Sequence, residues 1–306
     1  MIGRITNQML ANTTLTGINQ SLARLTATQQ KLYTGKQIDQ PSDNPYGTSV
    51  ALQMQGQLAQ LTSYSNNVSD GTGFAQASSA ALTNIQNVVQ RVRELVVQAA
   101  NGTLSPSNVA ASAAEVGQLI EEVKQNANTQ YNGQYIFSGA ATSTIPYQAG
   151  ASDAYAGNSG QINRQIGPNT PLTINAQLSA VLGNGQTTAG QPGGDGLLLN
   201  TLRNVVDDMQ SGNSSRLSAV DLSALDTNLN SLTGMQATVG AIQDRLQMAS
   251  SRIQSLQLSD TQVLSSFQDA DMAQTSIDYS TQQAALTAAL QAGAHIVQQS
   301  LMNFLN

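Results

Sequence analysis

Apolar residues recur along this chain in alternating steps of three and four, the period of a helix with one buried stripe. Near the start, Leu15, Ile18, Leu22, Leu25, Gln29 and Leu32 follow steps of 3, 4, 3, 4, 3. Near the end, Tyr279, Leu286, Leu290, Gly293, Val297 and Phe304 fall on one heptad frame. A lone helix has nothing behind such a stripe. The two ends are therefore predicted to pack on each other as a coiled coil, with the rest of the chain folded between them.

The pattern continues inward. The first helix is expected to stop at Thr34-Gly35, with Gly as the C-cap. The segment Pro41-Ser42-Asp43-Asn44-Pro45 is a rigid, turn-rich connector. Met54, Leu58, Leu61, Ser65 and Val68 then step 4, 3, 4, 3. Gly71 and Gly73 are expected to interrupt this helix. The frame resumes at Leu82, Ile85, Val89, Val92, Val96 and Ala99, and Asn101-Gly102 stops it. Ser105-Pro106 opens another helix with the apolar face Val109, Val116, Leu119, Ile120 and Val123. Asn132-Gly133, followed by Gln134-Tyr135-Ile136-Phe137, signals a hairpin.

At about residue 140 the composition changes to Gly, Pro and short alternating runs, including Pro146, Pro168, Pro171 and Pro192. Residues 161–166 and 172–175 are predicted strands. Helix returns at Leu197 to Met209. A heptad run from Met235 through Val239, Ile242, Leu246, Ala249, Ile253, Leu256, Asp260, Val263 and Phe267 to Ala270 follows. The expected fold is mainly α with a small β-rich insertion: an elongated hairpin of long helices whose terminal helices pair. The expected domains are 1–40 with 262–306, 41–139 with 197–261, and 140–196.

Charge refines this reading without driving it. Residues 1–36 contain Arg4, Arg24, Lys31 and Lys36 and no acid, while residues 253–306 contain Asp260, Asp269, Asp271 and Asp278 and no Lys or Arg. Exposed pairs stabilise little, about 0.2–1 kcal/mol each, so the asymmetry only permits pairing. A net charge of −6 excludes an electrostatic footprint for nucleic acid. Charged residues are 10% of the chain, against about 25% in ordinary soluble domains. Gln, Asn, Ser and Thr supply the polarity instead, which leaves a wettable surface that repels its own copies weakly.

Candidate chemistry is sparse. With no Cys there is no disulfide, thiol nucleophile or Cys-held metal. His295 is the only histidine and reads as structural. Glu121-Glu122 and Asp207-Asp208 read as solvated helix faces, and Asp43, Asp70 and Asp195 do not repeat at calcium-loop spacing. No catalytic, cofactor or metal site is expected, and no enzyme. The amphipathic ends suit self-assembly; a membrane surface would want basic residues on the polar face, which the segment after Asp278 lacks. The N-terminus lacks the apolar core of a signal peptide, and no apolar run reaches the ~20 residues needed to cross a bilayer. A cytoplasmic location or export without a cleaved signal both fit.

Six stretches carry a family likeness. They are residues 1–9 (MIGRITNQM), 33–45 (YTGKQIDQPSDNP), 90–103 (QRVRELVVQAANGT), 132–139 (NGQYIFSG), 268–273 (QDADMA) and 300–305 (SLMNFL). In their order and spacing the chain resembles the flagellin superfamily, and within it the hook-associated branch at the hook–filament junction. The prolines bracketing Asp43 depart from the usual flagellin pattern. The resemblance implies an extracellular structural adaptor of the bacterial flagellum: a ring of copies between a neighbouring hook-associated protein and flagellin. It further implies export through the flagellum-specific type III channel, an export chaperone at the C-terminal helix, and terminal regions that are disordered in the monomer and pair on assembly. Leu15, Ile18, Leu22, Leu25, Leu32, Leu286, Leu290, Val297, Leu301 and Phe304 are the expected assembly contacts. A flagellin filament subunit and a helical type III-secreted structural or adhesin protein are the alternatives.

Overall fold

The structure, a computed structural model, describes residues 7–102, 104–184 and 195–305; within these, the side chains of 7, 8, 10, 11 and 295–305 are not described. Helices α1 (Asn7–Thr34), α2 (Pro45–Ala100) and α3 (Pro106–Ala127) come first. Strands β1 (Gln130–Tyr131), β2 (Gln134–Tyr135), β3 (Asn163–Gln165) and β4 (Pro171–Thr173) follow. Next are α4 (Ser179–Leu182), α5 (Leu198–Gln210) and α6 (Ser214–Arg216), a π turn (Leu217–Asp221), α7 (Leu222–Gln268) and α8 (Met272–Leu305). The mainly helical class with a small β-rich insertion is as the periodicity predicts. The chain forms two compact units, Met1–Gln60 with Leu256–Asn306, and Leu61–Ser255.

The second unit holds the larger core. The predicted α2 face, Leu82, Ile85, Val89, Val92, Val96 and Ala99, is buried in full. It shares one apolar cluster with Val116, Ile120 and Val123 of α3, Leu198, Leu202 and Val205 of α5, and Leu225, Leu232, Val239 and Leu246 of α7. Residues 140–184 join the same cluster through Tyr147, Ile166, Leu172, Ile174, Leu178 and Leu182. Ser105 caps α3 by accepting from Asn108 N (3.3 Å), with Pro106 in the first turn. Asn132 (φ 50°) and Gly133 (φ 76°) make the predicted tight turn, in the left-handed conformation that a two-residue hairpin requires. Each strand is only two residues long, because Ile136 and Phe137 turn into the core instead of extending the ladder.

Two expectations are corrected. Gly71 and Gly73 do not interrupt α2, which runs unbroken for 56 residues. They are notches for close approach. A β-carbon at Gly71 would stand 3.1 Å from Leu246 Cδ2, and one at Gly73 would overlap the Tyr131 ring, 2.8 Å from Cζ. Tyr131 in turn meets Phe74 edge-on, with centroids 6.2 Å apart, so it has little room to yield. Gly73→Ala is expected to cost about 1–3 kcal/mol, although Ala favours helix by about 1 kcal/mol. Gly56→Ala in the same helix meets nothing within 4 Å and should gain up to about 1 kcal/mol. Opposite shifts of melting temperature in the two variants check this account.

The second correction concerns the last heptad run. Its helix ends at Gln268, next to the last seam residue of the run, Ala270, and Asp271 caps a new helix: its Oδ1 accepts from Ala273 N (2.9 Å) and Gln274 N (3.1 Å). After Ile253 the seam keeps Asp260 and Phe267 but shifts by one residue at the positions between them. Gln257 and Leu264 face inward, while Leu256 and Val263 stand exposed.

Candidate assembly surface

In the first unit α1 and α8 pack against each other. The pairing is antiparallel. Thr14 and Ile18 approach Gly293, where a β-carbon would meet each at 3.3 Å, while Thr28 Oγ1 donates to Gln282 Oε1 at 2.8 Å. The inward positions are Thr14, Ile18, Ser21, Leu25, Thr28 and Leu32 on α1, facing Thr275, Tyr279, Gln282, Leu286, Ala289 and Gly293 on α8. Steps of three and four hold on both helices. Small and polar residues occupy seven of these twelve positions, and the helices approach closely at Gly293.

On α1 this frame matches the leucine frame in the sequence at every second position and lies one residue away at the others. Ile18, Leu25, Leu32 and Leu286 lie on the α1–α8 seam. Leu15, Leu22 and Leu290 do not, and are 59%, 50% and 51% exposed. At 100° per residue, Leu15, Leu22 and the exposed Tyr33 line up within about 20° of one another, roughly 90° around α1 from the seam. The helix thus carries two apolar stripes, and the chain covers one. Val297, Leu301, Phe304 and His295 have side chains outside the described residues. Of the fifteen exposed large apolar residues among those described, twelve lie in this smaller unit. Isolated exposed leucines are ordinary, whereas a concentration of them marks an interaction surface.

The strands of chain entering and leaving this pair are tied together. Gly35 ends α1 in the left-handed conformation (φ 68°). Lys36 and Asp269 form an antiparallel bridge in which Gln37 N donates to Gln268 O (2.7 Å) and Ala270 N donates to Gly35 O (2.9 Å). The predicted connector is ordered by its own side chains. Asp43 Oδ2 accepts from Gln40 N (3.0 Å) and Asp39 N (3.2 Å), and these bonds hold its carboxyl below the ordinary value. Asn44 caps α2 by accepting from Gly47 N (2.9 Å), and Ile38 is buried over Gly47. Phe267 meets Tyr46 edge-on at 6.1 Å. The opposite charge of the two ends makes no ion pair between α1 and α8 among the described residues.

The second unit uses its charges structurally, including some that sequence reasoning assigned to solvent. Lys124 is buried and bonds Asp153 Oδ1 (2.5 Å), Gly150 O (2.6 Å), Ser152 O (3.0 Å) and Glu121 Oε1 (3.3 Å). Arg203 reaches both oxygens of Asp153, at 2.8 and 2.9 Å. Glu121 is therefore part of a network, and Asp208 is buried beside Asp221. Asp70 pairs with Arg164 at 2.7 Å, and Asp195 accepts from Asn184 N and Leu197 N. Among the described residues no group of three or more His, Asp or Glu could hold a metal, and no helix is long and apolar enough to cross a membrane. The arrangement offers surfaces for helix packing.

Comparison with known proteins agrees with that chemistry. Residues 5–142 match the family model for the bacterial flagellin N-terminal helical region, and residues 222–305 match that for the C-terminal helical region. The chain is 26% identical over 303 residues to flagellar hook-associated protein 3 of Escherichia coli, covering 94% of this chain and 95% of that protein. It is 35% identical over 150 residues to a flagellin of Salmonella muenchen, covering 49% of this chain and 29% of that one. In fold it is similar to FlgL of Bacillus cereus, with a TM-score of 0.58, 19% identity, and 70% and 99% of the two chains covered. The flagellar junction protein FlgL of Legionella pneumophila is similar too, with a TM-score of 0.58, 15% identity and coverage of 72% and 100%.

Proposed function

Because this chain belongs to the flagellin superfamily, we propose that it is a structural subunit of the bacterial flagellum, forming the adaptor ring that joins the hook side to the flagellin filament. The observation that carries this reading is the end-to-end match to the hook-associated protein, covering 94% and 95% of the two chains. The flagellin match is higher in identity but reaches only 29% of that protein. It supports the second reading, a filament subunit.

In the proposed ring, residues 1–40 with 262–306 make the assembly domain, 41–139 with 197–261 the rod, and 140–196 the outer part. Ile18, Leu25, Leu32 and Leu286 hold the two ends together, while Leu15, Leu22 and Leu290 take neighbouring subunits. Burying one Leu is worth about 1.5–3 kcal/mol, whereas ordering each residue costs about 1–2 kcal/mol of backbone entropy. A two-helix pair with Thr14, Ser21, Thr28, Ala289 and Gly293 on its seam recovers little of that cost. Neighbouring chains supply the missing burial, so the ends order on assembly and stay unpaired before it. The partners are further copies of this chain, a neighbouring hook-associated protein and flagellin, with an export chaperone at the C-terminal helix. The protein acts outside the cell, in the flagellum, without enzymatic activity.

Deleting the gene tests this directly. Cells should show hooks without filaments by electron microscopy, with flagellin lost to the medium. Normal filaments would sink the adaptor reading. Bare hooks with no flagellin in cells or medium would make this chain the filament subunit.

A further inference from the structure

Two acids in the second unit are buried against each other with no need arising from assembly. Asp208 lies near the end of α5 and Asp221 ends the π turn; they are 8% and 2% exposed. The π turn places Asp221 there. Its widened backbone ring, closed by Leu222 N donating to Leu217 O, turns both Leu217 and Asp221 inward. The π turn packs on α5, and Asp208 Oδ2 and Asp221 Oδ2 are both buried without a hydrogen bond. From α6, Arg216 Nε stands 2.7 Å from Asp208 Oδ2, and this guanidinium is 45% exposed. The neighbouring Asp207 points to solvent, and Asp226, farther along α7, is engaged by Arg93 of α2 at 2.6 Å. One half-exposed cation thus faces two buried acids.

We propose that Asp208 and Asp221 share a single proton and form a proton-held latch between α5 and the π turn, firm in acid and loosened in alkali. Two buried carboxylates in contact cannot both ionise without strong repulsion. Burial, then the hydrogen bond and charge of Asp208, push the Asp221 carboxyl up to about 7, against a smaller opposing pull from Arg216. An unfolded aspartate titrates at about 3.9. Between those values the folded chain binds more protons than the unfolded one, so the latch's contribution is complete below about pH 4 and is lost as the pH rises through about 7. Above that, mutual repulsion favours release of α6 and the π turn from α5.

The test is thermal melting of the full chain at about pH 5 and about pH 8, as wild type, Asp221→Asn and Asp226→Asn. An amide at 221 donates to Asp208 at every pH, as the shared proton does only in acid. Asp221→Asn should lose the wild-type fall in melting temperature between the two pH values and melt several degrees above wild type at the higher one. Asp226→Asn should keep the wild-type slope. An Asp221→Asn variant with the wild-type slope overturns the proposal. If that variant does not fold, infrared spectra of the wild type decide: a protonated-carboxyl band near neutral pH that vanishes in alkali supports the latch, and absence of the band overturns it.

Discussion

Replacing Asp153 by Ala should destabilise the second unit by about 3–5 kcal/mol, the usual cost of stranding a buried charge. Lys124 is 2% exposed at its side chain and Asp153 is 3% exposed. Removing the carboxylate leaves the Lys124 ammonium with two carbonyls, from Gly150 and Ser152, and the partly exposed Glu121. It also frees the Arg203 guanidinium from its two-oxygen grip. At about 2–4 °C per kcal/mol for a unit of this size, the melting temperature should fall by about 10 °C. A double change, Lys124→Met with Asp153→Leu, should recover much of this loss, because an apolar pair leaves no stranded charge. If Asp153→Ala melts within a degree or two of wild type, the network does not hold α3, α5 and the 146–156 loop together.

Acid should weaken this network while it strengthens the Asp208–Asp221 contact. Burial raises the Asp153 carboxyl, but hydrogen bonds from Arg203 and Lys124 outweigh it and hold the group below its ordinary value. Its contribution is therefore present above about pH 4 and is lost as the pH falls through the lowered folded value. The two clusters have opposite signs because one pairs a carboxylate with cations and the other pairs it with a second acid.

The second large effect is expected on assembly. Leu15→Asp with Leu22→Asp should abolish filament formation in cells while leaving the melting of the purified monomer unchanged within about 0.5 kcal/mol, as for ordinary surface changes. Both residues are at least half exposed and lie off the α1–α8 seam. Their loss costs the isolated chain nothing that it buries. In a ring they would face a neighbour's helix, where each buried leucine is worth about 1.5–3 kcal/mol and a buried unpaired carboxylate costs more. Electron microscopy of cells carrying the variant gives the readout. Filaments at wild-type number and length would remove Leu15 and Leu22 from any interface.

The alternating steps of three and four were enough to determine that this chain is helical, where its helices lie, and which residues of α2 and α3 form the core. A stripe of Leu82, Ile85, Val89, Val92 and Val96 has no other way to leave water. Local chemistry was likewise legible: the Asn132-Gly133 turn needs positive φ, and Ser105-Pro106 starts a helix in almost any context. Tertiary structure alone decided the choices between near-equal alternatives. α1 offers both a leucine stripe and a small-residue stripe, and the close approach at Gly293 selected the second, leaving Leu15 and Leu22 outside. Gly71 and Gly73 are helix breakers by propensity, but Leu246 and the Tyr131 ring fill the space that their missing side chains leave. Glu121 and Asp208 read as solvated faces because their partners, Gly150, Arg203 and Asp221, are 13 to 82 residues away in the chain. Periodicity reports which face of a helix is apolar; what comes to lie against that face depends on contacts that the local sequence does not contain.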